Sequence, residues 1–151
     1  DDMNILEGLL FINDNDVYKT YGAFLSEDKA GDNTNYAALL TPPKTKTYTA
    51  VTFREQDGEK LPGKLNTRFE ARDFTLQFTI VADGKADFVL KYKAFVSMLK
   101  SGWLEIRLPE LDKTYRVYYK ECSGYDQLTT LTGTSVAAKF KVKFREPNPT
   151  I

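Results

Sequence analysis

The sequence predicts a mainly β fold, an antiparallel β-barrel or sandwich of about seven strands with one flanking α-helix at 85–100, and three observations carry that prediction. Apolar and polar residues alternate with period two in several separate stretches, the pattern of strands buried on one face. Only one stretch, Lys85 to Lys100, repeats its apolar residues at the three- and four-residue spacing of a helix. That helix interrupts a run of strands instead of alternating with them, which argues against a parallel α/β sheet. At 151 residues the chain has ordinary single-domain size, so 1–151 is expected to form one domain, with long loops at 26–46 and 56–67.

Taken in order, Leu9 to Ile12 opens as a strand, Asn13 to Asp16 is a polar turn, and Gly22 to Leu25 is a short strand. Thr47 to Arg54 is rich in the residues strands favour. Phe74, Leu76, Phe78 and Ile80 fall on one face of the next strand, separated by Thr75, Gln77 and Thr79. The helix follows, with Asp83 as its expected N-cap, Phe88, Val89, Tyr92, Phe95, Val96 and Leu99 as its apolar stripe, and Gly102 as its stop. Trp103 to Leu108 and Tyr115 to Cys122 face each other across the connection Pro109 to Thr114. In the terminal strand Lys139, Lys141, Lys143 and Arg145 alternate with Phe140, Val142 and Phe144, so it has a cationic face and an apolar one. The cationic face is expected to be solvated and paired across the sheet with carboxylates such as Glu105 or Glu121, because a nucleic-acid track would interleave exposed aromatics with its charges.

Composition excludes several chemistries. There is no histidine, so Ser-His-Asp and Cys-His catalysis and His-ligated zinc are impossible. Cys122 is the only cysteine, which rules out an internal disulfide; its place in the apolar run YRVYYKEC predicts a buried, inert thiol. The 21 Lys+Arg balance 21 Asp+Glu for a formal net charge of +0, which argues against nucleic acid or an anionic membrane as partner. No apolar run approaches the ~18 residues of a membrane span. Counted from Asp14, the sixth and twelfth positions of a calcium loop hold Lys19 and Leu25 where glycine and glutamate are needed. The stretch Gly58 to Lys64 is followed by Leu65, where a phosphate-binding loop needs Ser or Thr. The expectation is a protein with no enzymatic activity, no metal and no cofactor.

Several short motifs recur in a recognisable order. Phe11-Ile12-Asn13-Asp14, Asp16-Val17-Tyr18 and Tyr21-Gly22-Ala23-Phe24-Leu25 come first, followed by Gln56-Asp57-Gly58-Glu59 and Arg72-Asp73-Phe74-Thr75-Leu76-Gln77-Phe78. The helix end Leu99-Lys100-Ser101-Gly102, the strand Tyr115-Arg116-Val117-Tyr118-Tyr119 and the close Phe144-Arg145-Glu146-Pro147 complete the series. In order and spacing, across nearly the whole chain, this resembles the N-terminal barrel domain of bacteriophage distal tail proteins, relatives of the tail-tube proteins. The resemblance implies a phage or prophage virion component, made in the bacterial cytoplasm and located in the tail. It implies assembly as a ring, a hexamer, between tail-tube and baseplate proteins. It also implies structural roles for Gly22, Arg72, Phe74, Gly102 and Pro147.

Ordering a residue's backbone costs about 1–2 kcal/mol, so long polar loops stay ordered only where other surfaces offset that cost. In ring-forming tail proteins such loops reach the next subunit, so Tyr36, Leu40, Tyr48, Val51, Phe53, Asp57 and Gly58 are the expected subunit-interface residues. The alternative is a small glycan- or ligand-binding β-sandwich, in which aromatics form stacking platforms. Trp103 separates the two readings. It follows the helix end and begins a strand, so it is expected in the core, packed against the helix stripe; exposed beside Tyr118 or Tyr125 it would favour the glycan reading.

Overall fold

The structure is a computed structural model that describes residues 6–27, 31–46, 51–52, 59–60, 63–64 and 67–150. Its elements are β1 (Phe11–Ile12), β2 (Asn15–Asp16), α1 (Val17–Tyr21), β3 (Ala23–Leu25), α2 (Thr34–Leu40), β4 (Val51–Thr52), β5 (Glu59–Lys60), β6 (Arg72–Ala82), α3 (Lys85–Leu99), β7 (Trp103–Leu108), β8 (Lys113–Gln127) and β9 (Val136–Glu146). The fold is mainly β, as expected. A seven-stranded antiparallel sheet runs β2-β1-β7-β8-β9-β6-β3 and curls into a half-barrel, while β4 and β5 form a separate two-stranded sheet.

The sheet is organised by β6 and β9, which pair without a break from Arg72↔Glu146 to Ala82↔Val136. Because side chains alternate, this register stacks Phe74 on Phe144, Leu76 on Val142 and Phe78 on Phe140 along one face. Leu104, Ile106 and Leu108 of β7 and Tyr115 and Val117 of β8 continue that face. Helix α3 lays Phe88, Phe95 and Leu99 onto it. The Phe95 ring meets Phe78 at 5.2 Å, Tyr21 at 5.4 Å and Phe140 at 5.8 Å, all edge to face.

Several expectations are corrected. Asn15–Asp16 is not only a turn, since it pairs back on β1. The seven strands of the sheet therefore differ in membership from those read in the sequence. Val51–Thr52 is the described part of the Thr47–Arg54 stretch and pairs with β5, outside the main sheet. Asp83 does not cap α3; Gly84 stands at that position, and the Asp83 N–H donates to Asp87 Oδ2 at 3.0 Å. The 26–46 segment, read as a loop, carries α2. Cys122 is exposed. Its strand runs past β7, whose pairing ends at Trp103↔Tyr118, and the register slips after Tyr119 and again after Cys122, so the core face ends before the thiol is reached.

Gly22 justifies its place in the motif series. Asp16 caps the start of α1 by accepting from Tyr18 N at 3.1 Å and Lys19 N at 3.3 Å, and Gly22 ends the helix at φ 68° with its N–H donating to Tyr18 O. A Cβ there would stand 2.7 Å from the carbonyl oxygen of Val81. Gly22→Ala is therefore expected to destabilise the fold by roughly 1–3 kcal/mol, combining positive-φ strain with a backbone collision. Gly8→Ala is the control. Gly8 also has positive φ but has open space at the Cβ position, so thermal melts should show a smaller loss there.

Candidate functional site

Helix α2 splits its residues between the fold and the surface. Leu39 is fully buried, whereas Tyr36 and Leu40 are 36% and 46% exposed. Its N-terminus is held from outside the helix. Glu27 accepts hydrogen bonds from Thr34 N at 2.8 Å, Asn35 N at 3.0 Å and the Thr34 hydroxyl. Burial pushes the Glu27 carboxyl up, but these donors outweigh it and keep the pKa below the usual value. Asn35, buried, accepts from Gln77 N at 2.8 Å and donates to Ser26 O at 2.8 Å, which fixes the helix beside β6.

The C-terminal carbonyls of α2 are taken by Arg72. Its Nη2 donates to Leu39 O at 2.9 Å, its Nη1 to Ala38 O at 3.2 Å and Thr41 O at 2.5 Å, and its Nε to Glu146 Oε1 at 2.6 Å. The guanidinium lies 5.1 Å from the Phe74 ring centroid and 5.7 Å from that of Tyr115, whose hydroxyl donates to Leu39 O at 3.1 Å. Carbonyls that a helix end leaves unpaired are thereby satisfied. The chain's own sheet thus supplies much of the ordering of α2. Of the expected interface residues, Tyr36 and Leu40 share α2 and Tyr36 donates its hydroxyl to Glu110. Val51 lies in β4. Tyr48, Phe53, Asp57 and Gly58 fall outside the described residues. Gly102 sits at φ 122°, two residues past the helix cap Lys100, and Pro147 follows the end of β9.

The outer face of the sheet is a lattice of cross-strand ion pairs. Lys143 reaches Glu121 at 3.6 Å, Arg116 reaches Glu105 at 3.2 Å, and Asp73 receives both Lys120 and Arg145 at 3.0 Å. Both carboxylates anticipated from the sequence are engaged, although Glu105 pairs with β8 and not with the terminal strand. Burial raises the pKa of Asp73, but the hydrogen bonds and charges of Lys120 and Arg145 outweigh it and leave the carboxyl below its ordinary value. A lowered carboxylate pKa contributes stability above the unfolded value near about 4 and loses it as pH falls through the folded value. Asp73→Asn is expected to flatten that acid limb and to cost within about 1 kcal/mol at neutral pH. Urea midpoints between pH 7 and pH 2 check it, and equal slopes for both proteins would refute it.

Trp103 departs from the expected core position. Leu104, Ile106 and Leu108 take the inward places of β7, so the alternation sends Trp103 outward, and its side chain is 49% exposed. Its ring meets Tyr118 edge-on at 5.7 Å and the Arg116 guanidinium at 4.3 Å. A shallow cleft beside it is lined by Leu99, Lys100, Gly102, Trp103, Tyr118 and Tyr119.

Among the described residues no cluster of three or more His, Cys, Asp or Glu side chains is placed to hold a metal ion. No helix among them is long and apolar enough to cross a membrane.

No protein-family model matches the sequence, and no curated protein does. Among solved structures the chain is similar to the SPP1 Dit (gp 19.1) protein, described as a paradigm of the hub adsorption apparatus in phages that infect Gram-positive bacteria. The two share 13% identity with a TM-score of 0.55, over 93% of this chain and 52% of that one. The chain therefore spans about half the length of that protein. At this identity the likeness establishes a shared fold and nothing finer.

Proposed function

We propose that this chain is a structural component of a phage or prophage tail, of the distal-tail or tail-tube kind, which works by assembling into a ring and catalyses no reaction. The observation that carries the reading is the likeness of nearly the whole chain to a phage hub protein. The exposed pair Tyr36 and Leu40 on a helix clamped at both ends gives a rigid patch for contact with another copy. A net charge of +0 removes long-range repulsion between copies. Six copies would close the ring, with tail-tube protein on one side and baseplate protein on the other. Light scattering from micromolar to millimolar concentration, with chemical cross-linking, tests this. A mass that climbs from 17.2 kDa with concentration and a cross-linked ladder ending at six are expected; a monomer throughout, with no ladder, would sink the reading.

The exposure of Trp103 beside Tyr118 favours a second reading, a saccharide-stacking platform. Trp103 is the only tryptophan, so its fluorescence reports on that one place. Under the ring reading, soluble oligosaccharides leave its emission and the melting temperature unchanged; a saturable shift in both would bring the second reading forward.

A further inference from the structure

Residues 6–10, β3, α2 and the end of β7 enclose an apolar pocket of about 190 Å³. Leu9, Leu10, Phe24, Leu25, Leu39 and Leu108 form its walls. That is room for one large side chain, since an apolar cavity of about 150 Å³ accepts a benzene ring. The rim has a different character. Glu27 and Glu110 stand there with Tyr36, and neither carboxylate is paired with a lysine or arginine among the described residues. The Tyr36 hydroxyl is pushed above its ordinary pKa by its hydrogen bond to Glu110, by burial, and by the charges of Glu110 and Glu27, so the negative field of both carboxylates converges on the mouth. Leu9, half exposed, and Tyr36 extend the apolar lining outward as a collar. The pocket therefore fits an apolar side chain with a cation beside it.

The same chain carries such a group. Leu90, on the outer face of α3, is 70% exposed, more than any other large hydrophobic residue among those described. The helix stripe does not use it. Ala86 and Ala94, one turn to either side and both exposed, leave it projecting. Lys93, three residues on and on the same face, is exposed and makes no ion pair among the described residues.

Resting on the self-association reading above, we propose that Leu90 of one copy seats in this pocket of a second copy, with Lys93 facing Glu110 and Glu27 at the rim. Knob and pocket lie on different parts of the surface, so the contact is heterologous: each copy donates one knob and receives another, the arrangement that closes into rings. A single knob is small beside the roughly 1,200–2,000 Å² that a stable interface buries, so the contact is expected to be weak and to reinforce others.

Sedimentation velocity across micromolar to millimolar concentration tests the proposal on the full chain. Leu90→Gln keeps a good helix former at an exposed position, so the fold should be unchanged by melting temperature while association weakens at least tenfold. Lys93→Glu and Glu110→Lys should each weaken it similarly, and the double variant should restore it. Association that all these variants leave untouched overturns the knob and leaves the ring reading standing. Loss in both single charge variants without restoration in the double overturns the Lys93–Glu110 pairing on which the proposal depends. Absence of any association in the unmodified chain overturns both readings.

Discussion

Arg72→Ala is expected to cost about 3–5 kcal/mol, the range for breaking a buried ion pair from one side, and to lower Tm by on the order of 10 °C. The side chains of Arg72 and Glu146 are 10% and 3% exposed, so removing the guanidinium strands a carboxylate in the core. It also strands the carbonyls of Ala38 and Thr41 at the end of α2, leaves Leu39 O with only the Tyr115 hydroxyl, and removes the cation over the Phe74 ring. Arg72→Lys should recover only part of the loss, because a lysine has no planar fork to serve Glu146 and three carbonyls at once. Arg72→Met combined with Glu146→Leu should be more stable than Arg72→Met alone, since no charge is left buried. Denaturant unfolding of the set checks the scheme. A loss below about 1 kcal/mol for Arg72→Ala would mean that α2 is held by something other than this clamp.

The second large effect is expected at Phe95, where substitution by alanine should cost about 3–5 kcal/mol. Phe95 is fully buried and its ring contacts Tyr21, Phe78 and Phe140, which belong to α1, β6 and β9. The cavity left behind would open among rings that hold one another in edge-to-face contact and have little freedom to collapse into it. Leu99→Ala, at the last turn of the same stripe, should cost about 2–5 kcal/mol. Leu90→Ala, on the opposite face, should stay within about 0.5 kcal/mol. Melts of the three variants read the helix orientation directly: comparable losses at Leu90 and Phe95 would overturn it.

The parts of this fold that local pattern dictates were legible. Phe74 to Ile80, Phe140 to Phe144 and Leu104 to Leu108 alternate strictly, and each occupies the face its alternation assigns. The stripe of α3 placed Phe88, Phe95 and Leu99 correctly for the same reason. For Trp103 adjacency to the helix end points inward but parity points outward, and parity wins: the run Trp-Leu-Glu-Ile-Arg-Leu gives the inward set to the other three apolar residues. Helix α2 is hard to read locally because it is only seven residues long and its capping group comes from elsewhere in the chain. Asn33, at its N-cap position, makes no side-chain cap, and the carboxylate that replaces it belongs to Glu27. The partners of Arg72 lie far away in sequence on both sides, at Leu39 and Glu146, so a motif could mark the residue but nothing local could reveal the clamp. The pocket rim has the same origin, since Glu27, Tyr36 and Glu110 meet only when the sheet has curled.

The outward run of β8 has a consequence for solubility. Beyond Tyr118 its edge facing away from β9 has no strand partner among the described residues, and an open edge is a template on which any extended chain can grow. This stretch carries the devices that discourage such growth. Lys120, Glu121 and Asp126 place charges of both signs along it, two register slips break its straightness, and Gly124 weakens its strand propensity. Indiscriminate pairing along this edge is thereby opposed, and the opposition is written into the same strand that supplies Tyr115 and Val117 to the core.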